Sequence, residues 1–322
     1  MLVPVLLFAL GLILLIKGGD WFVDGATGIA HRFHVPELLI GATVVSIGTT
    51  LPEVMVSATS AIGGHGEIAY GNAIGSIICN TSLIAALTIA IRPSNVDRKE
   101  LVQPLTFFFG SAIFYAGTAY ITGRFSRVIG ILLLAVFVVY MFILVRKALT
   151  QPELPAEGEE EDKPEGTMTK DIILLVIGAA FIAVGARLLV DNGTLIAQAL
   201  GVPESVIALT FVALGTSLPE LVTAIASLVK GHSALSLGNI IGANLFNLVL
   251  VSGVSVTLSP FAVPASKTIG GMNASLVVDI PVMFIVMLLL SVPALKKGKL
   301  ARWQGIALLA IYAAFCVFQF VA

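Results

Sequence analysis

Charge is what this sequence has least of. Of 322 residues only 11% are Asp, Glu, Lys or Arg, against about 25% in an ordinary soluble domain, so a water-soluble fold of this size is excluded. Cysteine is scarcer still. Cys79 and Cys316 stand in separate apolar runs without metal-type spacing, read as apolar fillers, and say nothing of a redox compartment. A basic excess is also missing: 18 Lys and Arg against 19 Asp and Glu give a net charge of −1, which leaves no electrostatic footprint for nucleic acid. Strand-like alternation is absent too, which excludes a closed barrel.

What remains is apolar. Hydrophobic residues make up 57% of the chain, its mean hydropathy is +1.02, and apolar runs recur from Val3 to Val321. This composition predicts an all-α polytopic membrane protein. Ten candidate spans fall at 3–31, 37–63, 67–91, 101–122, 126–147, 171–200, 204–229, 233–258, 274–294 and 302–321. The first lacks a preceding basic segment and a small-residue cleavage site, and is read as a retained span. Two connections are long, 259–273 and 148–170, the latter holding Glu157, Glu159, Glu160, Glu161 and Asp162. That acidic stretch reads as a solvated linker between a first five-helix repeat, 1–147, and a second, 171–322.

Thirteen Lys and Arg lie in connections on the side away from the termini, among them Arg32, Arg92, Arg98, Lys230 and Arg302. Three, Arg124, Arg127 and Lys267, lie on the other side. The positive-inside rule then predicts both termini outside and the acidic linker in the cytoplasm.

The two halves repeat each other at a constant offset of 167. Gly48-Thr49-Thr50-Leu51-Pro52-Glu53 lies over Gly215-Thr216-Ser217-Leu218-Pro219-Glu220, and 13 of the 33 positions in 48–80 and 215–247 are identical. Asp24 falls on Asp191, His65 on His232, Asn72 on Asn239, Gly75 on Gly242 and Asn80 on Asn247. Five spans per half is an odd number, so the second half enters the membrane from the opposite face. Inverted repeats with interrupted helices are the architecture of secondary transporters.

Glu53 and Glu220 sit deep in apolar spans, where an ionised side chain costs about 2.5–3.5 kcal/mol on insertion scales. Spans two, three, seven and eight hold no basic residue except Lys230 at an end. A bound cation or a proton therefore has to offset that cost. Pro52 has no N–H for the carbonyl of Gly48, and its ring disturbs the turn around Thr49; Pro219 does the same to Gly215 and Thr216. Carbonyl, hydroxyl and carboxylate oxygens at one level suit Ca²⁺ or Na⁺ rather than Zn²⁺ or Cu⁺. Asn72, Ser76 and Asn80 make a polar stripe on span three, and Ser46, Thr50, Glu53 and Ser57 one on span two. Gly71/Gly75 and Gly238/Gly242 have the spacing that lets helices approach closely. A single proline or asparagine here is a kink or a glue residue, but two copies of the whole group at one spacing describe a site. Lys17, Asp20, Asp24, Arg187 and Asp191 are expected to pair with neighbours near span ends, and His65 and His232 to serve loop geometry.

The motif pair resembles the α-repeats of the cation/calcium antiporter superfamily, in particular the prokaryotic sodium/calcium exchangers, over nearly the whole chain. The resemblance implies Ca²⁺ moved against Na⁺ by alternating access across the plasma membrane. Spans two, three, seven and eight hold the ions, and spans one and six slide as a gate. It implies a Ca²⁺ site of Glu53 and Glu220 with the backbone oxygens of Thr49 and Thr216. It also implies Na⁺ ligands from Ser46, Thr50 and Ser76, from the backbone of Ala213 and from Ser217, with Asn80 and Asn247 lining the middle. Two positions depart from the pattern: Ala243 stands where the first repeat has Ser76, and Asn247 where some members are acidic. The ions are cargo; no resident cofactor and no obligatory protein partner are expected. Ca²⁺/H⁺ antiport on the same site is the alternative. A passive channel and an intramembrane hydrolase rank below it, the latter because no His-Glu-x-x-His or Gly-x-Gly-Asp motif occurs.

Overall fold

The computed structural model describes residues 2–33, 35–150, 167–200, 215–265 and 268–321. Ten helices account for most of them. They are α1 (Leu2–Arg32), α2 (Leu38–Ile62), α3 (Gly66–Ile91), α4 (Arg98–Thr122), α5 (Arg127–Thr150), α6 (Met168–Ala199), α7 (Leu218–Lys230), α8 (Ser233–Leu258), α9 (Ser275–Lys297) and α10 (Arg302–Val321). Among the described residues nine are long and apolar enough to cross a bilayer. The remaining expected span, 204–229, is described only from Gly215, and its helix α7 begins at Leu218. Most of the linker, 151–166, also lies outside the described residues.

Burial sorts the helices into layers. In α8, 83% of the apolar window is buried, and in α3 67%, whereas α1, α5 and α6 bury 22% each. The helices that carry the asparagine stripes thus form the centre. The others turn apolar side chains such as Ile131, Val138, Phe142, Val176 and Val184 outward, where lipid replaces water as their solvent.

The internal symmetry is visible in the backbone. His65 and His232 are the N-cap residues of α3 and α8 with nearly the same φ and ψ (−97°, 58° and −86°, 58°). The glycines before them, Gly64 and Gly231, both take positive φ, 84° and 89°, a conformation closed to most side chains. Two short antiparallel ribbons then join the halves crosswise. The strand after α3, β1 (Ser94–Asn95), pairs with β6 (Lys299–Leu300) of the α9–α10 hairpin; its counterpart β3 (Phe261–Ala262), after α8, pairs with β2 (Arg124–Phe125) of the α4–α5 hairpin. A third ribbon, β4 (Thr268–Ile269) with β5 (Met272–Asn273), stays within the second half.

Helices α1 and α6 pack antiparallel along a glycine seam. A methyl carbon built on Gly11 would lie 2.9 Å from the carbonyl oxygen of Gly185, and one on Gly18 2.9 Å from that of Gly178; Gly25 meets the backbone of Asp171 in the same way. The backbones therefore touch, as small residues permit in a membrane where no hydrophobic effect drives helix pairing. At the end of this seam Arg32 makes an ion pair with the buried Asp171.

Candidate functional site

The site is built where α2 and α7 cross α3 and α8. Helix α2 opens with a π turn, Gly41–Val45, and runs on through Pro52; α7 instead starts at Leu218 with Pro219 in its first turn, after a turn at Gly215–Ser217. The two prolines, equivalent in sequence, act differently. One sits within a continuous helix, and the other takes the N-terminal position where its missing N–H costs nothing. Both stripe helices carry a second π turn, Asn80–Ala85 in α3 and Asn247–Val251 in α8, each opening on the repeated asparagine. Such turns widen the helix and release backbone groups, and they gather at functional sites.

Glu53 and Glu220 are both fully buried. None of their four carboxylate oxygens has a hydrogen-bond partner among the described residues, nor do the Thr50 hydroxyl, either side-chain polar atom of Asn80, or Oδ1 of Asn247. The like charges of the two carboxylates interact across the site. Uncompensated buried acceptors on this scale are costly, several kcal/mol for each ion by general estimates, unless a cation meets them. Among the described residues no group of three His, Cys, Asp or Glu side chains gathers. The donor set is hard oxygen from carboxylates, hydroxyls and amides.

A reciprocal pair of asparagines braces this set. Thr49 donates to Oδ1 of Asn239 at 3.2 Å, and Thr216 donates to Oδ1 of Asn72 at 3.3 Å. Each threonine of one repeat is thus held by the asparagine of the other. Asn72 also donates to the Ser57 hydroxyl (2.8 Å) and to the Glu53 carbonyl (3.3 Å), while Asn239 donates to Thr223 (3.0 Å). Ser46 donates to the carbonyls of Gly41 and Asn239 at 2.7 and 2.9 Å. Each hydroxyl spends its hydrogen on an asparagine and keeps its oxygen lone pairs, so both the hydroxyl and the backbone oxygens of these threonines remain open to a cation.

Of the eleven residues expected at the site, Ala213 lies outside the described residues. Glu53, Glu220, Thr49, Thr50, Ser46, Ser76, Ser217, Asn80 and Asn247 are buried, and Thr216 is half-buried. Asn72, Asn239, Ser57 and Thr223 were not among them, although Asn72 and Ser57 stood out as stripe residues and Asn239 as the repeat mate of Asn72. Their signal was the repeat itself, which sets each asparagine 19 residues beyond its glutamate. Asn244, beside the missing hydroxyl at Ala243, donates to Thr81 at 2.7 Å, and Asn247 donates to the Ala243 carbonyl at 3.1 Å. Gly238 lies against the Leu38 backbone and Gly242 against Ala42 and Ser46. The stretch that the repeat sets against Gly71 and Gly75 falls in 201–214, outside the described residues. The expected charge pairing is met by Lys230 with Asp24 at 2.6 Å and Asp20 at 4.0 Å, and by Arg187 with Asp191 at 3.6 Å.

Comparison with known proteins agrees with this geometry. The model of the sodium/calcium exchanger protein family matches residues 3–146 and 170–321. The chain belongs to that family. It is a transporter, not an enzyme. The exchanger is 38% identical to an uncharacterised membrane protein of Methanocaldococcus jannaschii, covering 95% of this chain and 94% of that one. It is 30% identical to the sodium/calcium exchanger MaX1 of Methanosarcina acetivorans, over 98% of each chain. The solved structure of the sodium-calcium exchanger NCX_Mj soaked with 2.5 mM Na⁺ and 10 mM Sr²⁺ matches with a TM-score of 0.82 and 35% identity, over 97% of each chain. These matches make the exchanger a multi-pass helical membrane protein built of repeats.

Proposed function

We propose that this exchanger moves Ca²⁺ against Na⁺ across the plasma membrane by alternating access. Ca²⁺ is held between Glu53 and Glu220 with the backbone oxygens of Thr49 and Thr216. Na⁺ is held by Ser46, Thr50 and Ser76 on one side and by the Ala213 backbone and Ser217 on the other, with Asn80 and Asn247 between them. The carrying observation is the set of buried oxygens without donors, grouped about two carboxylates from opposite repeats. Two carboxylates balance one divalent ion, and Ca²⁺ accepts the mixed carboxylate, carbonyl and hydroxyl ligands that this site offers.

One ligand set for two ions makes their binding mutually exclusive, which is the requirement for exchange rather than parallel leak. An empty site carries two like charges in a low dielectric and resists burial, so the loaded forms are the ones that switch exposure. Helix α1 of the repeat 1–147 and helix α6 of the repeat 171–322 slide together over the central helices as a gate. The linker 148–170 lies in the cytoplasm and both termini outside. The likeness to MaX1, a sodium/calcium exchanger, and to the sodium-calcium exchanger NCX_Mj supports Na⁺ as the coupling ion.

The test is ⁴⁵Ca²⁺ uptake into Na⁺-loaded proteoliposomes with internal Na⁺, K⁺ and pH varied one at a time. Uptake that needs internal Na⁺ at constant pH supports the proposal. Uptake driven by an outward proton gradient without Na⁺ replaces Na⁺ with H⁺ as the coupling ion.

A further inference from the structure

Eight of the sixteen buried side-chain polar atoms that lack a partner among the described residues belong to Glu53, Glu220, Thr50, Asn80 and Asn247; Ser236 is one of the others. It lies one turn into α8, is 4% exposed, and its hydroxyl has no hydrogen-bond partner among the described residues. Ser236 lines a partly open recess at the basic end of the bundle, together with Arg92, Ser94 and Ser233. The void at its base is about 20 Å³, room for one oxygen-sized guest.

The polar side chains of the recess are Arg92, Thr88 and three serines, set among apolar residues such as Ile89 and Leu237. Arg92 gives one N–H to the Leu228 carbonyl at 3.4 Å, a long contact that leaves most of the five-donor guanidinium fork for another partner. The first turn of the 14-residue α-helical segment that opens α8 adds its positive dipole end here. No carboxylate is among the residues lining the recess. Arg302, donating to the Ile91 carbonyl at 3.3 Å, lies close by.

The internal repeat supplies a built-in comparison. At the offset of 167, Ser94 corresponds to Phe261, Ser233 to Gly66, Ser236 to Ala69 and Arg92 to Ser259. On that opposite face the Phe261 ring rests on Gly66 so closely that a side chain there would collide with it, and it meets Phe125 edge-on at 5.8 Å. The same corner is thus plugged by an aromatic ring on one face of the membrane and left open, hydroxyl-lined and cationic on the other.

We infer that this recess is a phosphate-binding site for the headgroup of an anionic phospholipid. One non-bridging oxygen enters the void and accepts from Ser236, while Arg92 grips the phosphate at the rim, the bidentate chemistry for which guanidinium is suited. Basic pockets between helices at the membrane surface hold lipid headgroups in this way.

The experiment is native mass spectrometry of the purified full chain after incubation with equal amounts of phosphatidylglycerol and phosphatidylcholine of matched chains. Calorimetric titration with inorganic phosphate forms a second arm. Phosphatidylglycerol is expected to be retained selectively, with Arg92→Gln lowering retention roughly tenfold, as loss of a charge-assisted contact does. Ser94→Phe, which installs the plug of the other face, is expected to abolish retention. Arg124→Gln on that other face should change nothing. Binding of inorganic phosphate that depends on Arg92, without lipid retention, keeps the site and assigns it to free phosphate. Retention undiminished in both Arg92→Gln and Ser94→Phe, or no binding in either arm, overturns the proposal.

Discussion

At the scale of single residues the molecule trades stability for affinity. Glu53 and Glu220 are buried without protein donors to their carboxylates, so in ion-free buffer they weaken the fold, and a bound cation restores it. Binding at a hundredfold excess over Kd stabilises by about 2.7 kcal/mol. Glu53→Gln and Glu220→Gln are therefore expected to melt at or above the wild-type temperature without Ca²⁺, to lose the Ca²⁺-dependent rise in Tm, and to lose nearly all ⁴⁵Ca²⁺ uptake. Thermal scans with and without Ca²⁺ check this; normal transport in both variants would refute the assigned roles. The asparagine braces predict the opposite pattern. Asn239→Leu removes the acceptor of Thr49 and the donor to Thr223, leaving the buried Thr49 hydroxyl unpaired at a cost of about 1–3 kcal/mol where no new partner forms. Asn239→Leu should therefore lower Tm in ion-free buffer, and Asn72→Leu should do so through Thr216 and Ser57.

At the scale of elements, some features were legible in the sequence and others arose only from pairing in space. The offset of 167 marked the π turns of α3 and α8, because each opens on an asparagine that the repeat had already singled out. It also marked the two histidine turns. It did not separate Pro52 from Pro219, since a hexapeptide identical at five of six positions is continued as helix in one half and begins a helix in the other. Nor did it disclose the α1–α6 seam. Gly11, Gly18 and Gly25 recur every seven residues, yet which helix they face depends on an antiparallel contact across 150 residues or more of chain. That seam yields a prediction of its own. Gly18→Leu sets a branched side chain where a single carbon already lies 2.9 Å from the Gly178 carbonyl and the Ile182 nitrogen. The backbones must separate, and packing is the main force holding such helices together. The folded yield of Gly18→Leu in detergent is expected to fall several-fold by size-exclusion chromatography, and that of Gly18→Ala less.

At the scale of the whole molecule, inversion of the repeat and placement of charge are separate claims that one measurement can divide. The two crossed ribbons put β1 with β6 and β3 with β2, so repeat mates occupy opposite ends of the bundle if the halves are inverted. Asn95 in β1 and Ala262 in β3 are such mates, and both are exposed. Asn95 belongs to the end where the thirteen connection Lys and Arg residues gather, Ala262 to the end with three, and an excess of this size in short loops orients a membrane protein. A background of Cys79→Ser and Cys316→Ser removes the native thiols, of which Cys316 is partly exposed. In it, Ala262→Cys is expected to react with a membrane-impermeant maleimide in intact cells, and Asn95→Cys only after the membrane is opened. The reverse pattern keeps the inverted repeat and overturns the orientation. Labelling of both from one side contradicts the inversion itself, and with it the placement of Glu53 and Glu220 as facing copies of one ligand at a shared site.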